Sequence, residues 1–184
     1  MARNVWIIAA LGGLSLAATI IVAVTASESD NAQPRGPLVV AGSSAPDVEL
    51  PTLDGNLLRV SSTRGAPTIL TFGASWCHPC REEYPRLERI RMQTPELKVI
   101  GVLEEDSPRI MQRFMRDVGA NWPVLDDNEG VAAAKYGVEG LPVTFFIDRG
   151  GFVTERITGL MSESDLAKYV RRIVSAPIAT TVST

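Results

Sequence analysis

The sequence predicts an α/β fold with a mixed central sheet and helices on both faces. Three observations carry that expectation. Runs rich in β-branched and aromatic residues at Thr68 to Phe72, Leu97 to Leu103 and Val143 to Ile147 have the length of buried strands. Amphipathic helical patterns follow the first two runs, and a strand–helix–strand order demands parallel pairing. The last strand pair, Val143 to Ile147 and Phe152 to Ile157, is joined by the turn Asp148-Arg149-Gly150-Gly151 and is free to pair antiparallel.

Taken in order, the chain opens with an uncharged apolar stretch whose heart is Val5 to Ala26. At about 1.5 Å per residue it spans roughly 33 Å as a helix, enough for the hydrocarbon core of a bilayer. Trp6 suits one interface; Arg3 precedes the stretch, and Glu28 and Asp30 follow it. Positive charge on the inner side predicts a single-pass cell-membrane anchor over residues 1–26, with the rest of the chain on the extracytoplasmic (periplasmic or outer) side. A cleaved signal peptide is the rival reading, since Val24 and Ala26 offer small residues, but the apolar run exceeds the usual 7–15-residue signal core. Residues 27–40 turn polar and Pro/Gly-containing and read as a tether.

The folded part is expected over residues 41–174. Val48 to Leu50 and Leu57 to Val60 flank Asp54-Gly55, the signature of a β-hairpin. After the Thr68 to Phe72 strand comes a helix through Arg91, with Pro85 inside it as a predicted kink. Pro108 to Val118 is amphipathic, with Ile110, Met111, Phe114, Met115 and Val118 as its inner face. Trp122 to Leu125 is a short extended piece, and Val131 to Tyr136 a short helix stopped by Gly137. Ser162, with Asp165 three residues on, caps a last helix through Val174; residues 175–184 read as a tail.

Composition narrows the function. The chain has 184 residues at net charge −3, with 45% hydrophobic and 21% charged content, which lacks the basic excess of a nucleic-acid binder. With 2 cysteines and 1 histidine, neither a four-cysteine zinc site nor a multi-histidine centre can be built.

The chemistry therefore concentrates on Trp76-Cys77-His78-Pro79-Cys80, which lies between a strand and a helix. A free thiol has a pKa near 8.5, and the positive end of a helix lowers it. Cys77 at the helix start is the expected nucleophile. It forms a mixed disulfide with a partner, and the more buried Cys80, one turn on, resolves it. His78 adds a cationic group beside the thiolate and favours an oxidant; Pro79 stiffens the turn. A structural disulfide this short constrains little. Zinc lacks ligands, and haem attachment fails because Arg81, not histidine, follows Cys80.

These residues, together with Ala45-Pro46, Arg81-Glu82-Glu83-Tyr84-Pro85 and Gly137 to Phe145, resemble the thioredoxin superfamily, in particular its membrane-anchored TlpA/ResA-type branch of bacterial thiol–disulfide oxidoreductases associated with cytochrome c biogenesis. The resemblance implies a thioredoxin-like fold over about Ala41 to Val174 and no cofactor beyond the redox-active Cys77–Cys80 disulfide. It implies catalytic roles for Cys77, Cys80, Glu83 and Pro142, with Glu83 moving the proton of Cys80 and Pro142 as a cis-proline. Trp76, His78, Pro79 and Leu141 would contact the substrate. Expected partners are client protein disulfides or thiols, such as those of apocytochrome c, and a membrane thiol transporter as electron donor.

The chain also departs from the family pattern. Thr71 stands where thioredoxins carry a buried aspartate, and Gly73 stands where many carry tryptophan, which is expected to leave the site more open. Three alternatives stand beside the reductase reading. A disulfide-forming oxidase would use the same site in reverse. A thiol peroxidase would want Thr or Ser at Ala74 and proline at Leu70, and a copper-delivery module would want a distant histidine. Glu104, Glu105 and Asp106 end a strand on the site's side of the sheet, where ligand-facing loops gather; they are expected to form a solvated loop leading into a helix, the alternative being a part in partner choice.

Overall fold

The computed structural model describes residues 38–176. The predicted anchor, most of the tether and nearly all of the tail lie outside the described residues. Among the described residues, no helix is long and apolar enough to cross a membrane.

Two short strands, β1 (Glu49–Pro51) and β2 (Leu57–Arg59), pair antiparallel across Gly55, whose φ of +81° suits glycine. Val60, expected as the last residue of the second strand, instead opens a 3-10 turn, Val60–Thr63, with its side chain buried. The main sheet follows. It contains β3 (Thr68–Gly73), β4 (Lys98–Leu103), β5 (Val124–Asp126), β6 (Val143–Ile147) and β7 (Val153–Thr158), in the order β5-β4-β3-β6-β7. β3, β4 and β5 run parallel, while β6 pairs antiparallel with both β3 and β7. The intervening helices are α1 (His78–Gln93), α2 (Pro108–Asp117), α3 (Val131–Tyr136) and α4 (Glu163–Ser175).

Alternation along β3 and β6 divides the core. Ile69 and Phe146 face one way, against Leu87 of α1, Phe114 of α2 and Ile173 of α4. Leu70, Phe72 and Phe145 face the other way, against Ala132 and Tyr136 of α3 and against Val39 and Val48. Val39 lies in the segment predicted as tether, yet it is buried.

Three expectations need correction. Ile110 is 55% exposed, because Met111, Phe114 and Met115 already fill the space beneath α2. Ser175 belongs to α4 rather than to a tail, its hydroxyl donating to Arg171 O at 2.8 Å. The extended piece near Trp122 begins at Val124, since Pro123 lacks an N–H for the ladder. As predicted, Ser162 caps α4, its hydroxyl accepting from the Asp165 N–H at 3.1 Å.

Candidate active site

Strand β3 ends against α1, and the two cysteines sit at that junction. Cys77 is the N-cap of α1, and its Sγ accepts from the Cys80 N–H at 3.2 Å. Pro79 stands in the first turn, where its missing N–H leaves no gap in the helix ladder. Cys77 and Cys80 are joined as a disulfide, with Cα atoms 5.3 Å apart. Cys80 is fully buried and Cys77 nearly so. His78 points to solvent, its Nε2 3.9 Å from Glu82 Oε1, so a neighbouring carboxylate accompanies any charge it carries. Helix α1 continues through Pro85 to Gln93.

Beneath the disulfide lies buried polarity. Glu83, one turn after Cys80, is 1% exposed, unlike the half-exposed Glu82. Burial pushes its carboxyl up to about 7, against the opposing pull of the Met161 N–H, the Arg86 guanidinium and the Thr144 hydroxyl. None of these aligns as a hydrogen bond, and both Glu83 oxygens lack a partner. Thr71 and Thr144 share a hydrogen bond at 3.0 Å across β3 and β6. The place where thioredoxins hold an aspartate is thus a neutral hydroxyl pair.

Gly73 does not open the site. A methyl group built there would overlap the Tyr84 hydroxyl oxygen and lie 3.1 Å from Tyr84 Cζ and 3.2 Å from Cys80 Sγ. The tyrosine fills the space that glycine vacates. Its hydroxyl is fully buried and has no hydrogen-bond partner.

The rim is built by the loop after β4. Glu105 adopts a left-handed backbone, φ 45°, and its carbonyl accepts from the Trp76 indole N–H at 3.2 Å. The Asp106 carboxylate accepts from the Ser75 N–H at 2.7 Å. This acidic run leads into α2 as expected, with Glu105 exposed, and it also latches the Trp76 loop. A groove of about 270 Å³ opens beside it, lined by Trp76, Glu104, Glu105 and the segment Val138 to Leu141. Trp76 is 60% exposed, and the Leu141–Pro142 peptide bond is cis, the conformation expected for it.

Glu104 is half-buried. Burial first, then the adjoining Asp127 carboxylate and the negative charge of Glu105, push its carboxyl up to about 9, and its Oε1 has no hydrogen-bond partner. Near neutral pH it is an uncharged acid at the groove. Asp127 is itself held by the N–H groups of Ala132 and Ala133 at 2.9 and 2.8 Å. The sequence does carry a sign of this rim, because three consecutive acidic residues close an inner parallel strand, where ligand-facing loops gather.

The structure thus groups Cys77, Cys80 and Glu83 on α1 and sets Trp76 and Leu141 in one groove, while His78 faces away. A Cys-x-x-Cys disulfide at a helix start, above a mixed sheet of this order, defines a thioredoxin-like redox protein. The AhpC/TSA family model matches residues 41–156, and the chain belongs to that thioredoxin-like family.

Among its relatives is the thiol-disulfide oxidoreductase ResA of Geobacillus thermodenitrificans. It is 33% identical over 140 residues, which cover 73% of this chain and 79% of the relative. The ResA of Bacillus subtilis is 31% identical over 134 residues, covering 72% and 75%. Two solved structures share the fold closely. One is a thioredoxin-family thiol:disulfide interchange protein from Chlorobium tepidum, with TM-score 0.66 and 26% identity, covering 72% of this chain and 97% of that one. The other is a secreted Mycobacterium tuberculosis disulfide oxidoreductase homologous to E. coli DsbE, with TM-score 0.63 and 28% identity, covering 68% and 95%. The protein is a thiol–disulfide oxidoreductase of the ResA/DsbE type.

Proposed function

We propose that this protein is tethered to the outer face of the cell membrane by its N-terminal segment and reduces the disulfides of specific apoproteins, such as apocytochrome c. The Cys77–Cys80 pair is its redox group, and a membrane thiol transporter returns electrons to it. The observation that carries this reading is the buried Glu83 carboxyl one turn from Cys80, pushed up to about 7. A reductase must remove a proton from its buried resolving thiol once per cycle, and a carboxyl of that acidity is matched to the task at neutral pH.

In the proposed cycle, the Cys77 thiolate attacks one sulfur of the client disulfide. A mixed disulfide forms and the client's other sulfur leaves as a thiolate. The Cys80 thiol then gives its proton to Glu83 and attacks Cys77 Sγ, releasing the second client thiol and closing the Cys77–Cys80 bond. Trp76, Pro79 and Leu141, with the cis-Pro142, supply the surface that receives the client chain, while His78 faces away to solvent. The direction of flow is the one that the resemblance to the TlpA/ResA-type branch implies.

The decisive measurement is the equilibrium reduction potential of Cys77–Cys80 in the full-length protein, titrated against dithiothreitol. A value near or below roughly −270 mV supports a dedicated reductant. One near −120 mV, where a strong periplasmic oxidant lies, overturns the reductase reading in favour of disulfide formation. In parallel, Cys80→Ala is expected to retain its client as a stable mixed disulfide visible on a non-reducing gel.

A further inference from the structure

Resting on the exchange chemistry of Cys77 and Cys80, we propose that the Tyr84 hydroxyl is the hydrogen-bond donor to Cys80 Sγ when the disulfide opens. Opening begins when an incoming thiolate attacks Cys77 Sγ. A new S–S bond forms there, the Cys77–Cys80 bond breaks, and its electron pair leaves on Cys80 Sγ. Cys80 is fully buried, so water does not solvate the charge that arrives. Tyr84 keeps its proton throughout and offers its O–H to that charge.

Four observations place the donor. The hydroxyl is fully buried and has no partner in the disulfide form, although buried hydroxyls are nearly always bonded. It shares one methyl-sized space above Gly73 with Cys80 Sγ. Its ring is held by Phe114 of α2 and by Trp122, each with centroids 5.4 Å away, which fixes where the hydroxyl sits. The other large buried tyrosine, Tyr136, has its hydroxyl satisfied by Pro46 O at 2.6 Å, so burying a tyrosine in this fold does not by itself leave its hydroxyl unpartnered. Burial pushes the Tyr84 phenol further above its ordinary range, and Glu83 adds to this, so it stays a donor. The rings packed on it, Phe114 and Trp122, are uncharged. Glu83 is the titrating neighbour that acts on it.

The test is a titration of Cys80 alone. In full-length protein carrying Cys77→Ala, the Cys80 Cβ chemical shift is followed against pH by carbon-13 NMR, with and without Tyr84→Phe. Loss of the donor is expected to lower the Cys80 acid dissociation constant about tenfold, the effect of losing one charge-assisted hydrogen bond. Repeating the pair with Glu83→Gln removes the overlapping carboxyl titration. Gly73→Ala, which displaces the hydroxyl, is expected to weaken the acidity in the same sense when Tyr84 is present and to add nothing beside Tyr84→Phe. Superimposable curves for Tyr84 and Tyr84→Phe overturn the proposal, as does a Gly73→Ala effect equal in both backgrounds. The readout involves neither client nor direction of electron flow, so it stands or falls separately from the reductase reading.

Discussion

Two buried tyrosines lie on opposite faces of the same sheet. On the α3 face, Tyr136 donates to Pro46 O, and at the start of α3 the carboxylate of Asp127 takes two backbone N–H groups. On the α1 face, Tyr84 is as deeply buried with nothing to donate to, and both oxygens of Glu83 lack a partner. Leaving such a group unsatisfied costs about 1–3 kcal/mol, and natural cores rarely tolerate two together. The concentration of unmatched polarity under the disulfide marks the face where a charge must appear and vanish during turnover. On the α3 face the unmatched buried atom is Arg156 Nε, whose neighbouring Nη2 still donates to Gly137 O.

The largest expected effect on this contrast comes from Glu83. Its folded pKa, about 7, stands above the ordinary 4.5, so the folded protein binds this proton more tightly than the unfolded chain does. The resulting stabilisation is fully present below pH 4.5 and is lost as pH rises to 7. The loss is on the order of 3 kcal/mol across that window. Urea unfolding of the oxidised protein at stepped pH should show the decline. Glu83→Gln should roughly halve the slope between pH 4.5 and 7, leaving the equal share from Glu104, whose raised carboxyl extends the fall toward pH 9. A variant that keeps the full slope would show that Glu83 is ionised in the fold.

Next in size is Gly73→Ala. Its methyl overlaps the Tyr84 hydroxyl, and overpacking of this kind costs about 1–3 kcal/mol. Adding Tyr84→Phe should recover most of that loss, measured as the urea midpoint of the oxidised protein. Smallest is the comparison between the tyrosines themselves. Tyr136→Phe strands the Pro46 carbonyl and should cost about 1 kcal/mol. Tyr84→Phe removes an orphan and should leave the oxidised protein as stable or slightly more so. Equal losses from the two would erase the distinction between the faces.

Much of this architecture was legible because its patterns are local. The strand runs, the Ser162 cap, the Gly137 stop and the Cys77–Cys80 helix start each depend on residues within a turn of one another. Ile110 was misjudged because helical spacing offers five apolar positions, whereas the depth of the sheet beneath α2 decides how many are used. The rim eluded the pattern for a different reason. Asp106 meets Ser75 and Glu104 meets Asp127 only after β3, β4 and β5 have aligned, and acidic residues in a row ordinarily signify solvent. Gly73 misled most instructively. A missing side chain suggests space, and only the fold reveals that Tyr84, eleven residues on, has taken it.

That exchange of volume also constrains how such a sequence can arise. A glycine opposite phenylalanine leaves a small void, whereas any larger residue opposite tyrosine drives a methyl into the hydroxyl. Glycine at position 73 therefore accepts either ring at position 84, whereas a larger residue there presses on the hydroxyl. Once Tyr84 is in place, position 73 is closed to the tryptophan that many members of the superfamily carry there. A single oxygen atom thus sets the size limit at a position with no side chain at all.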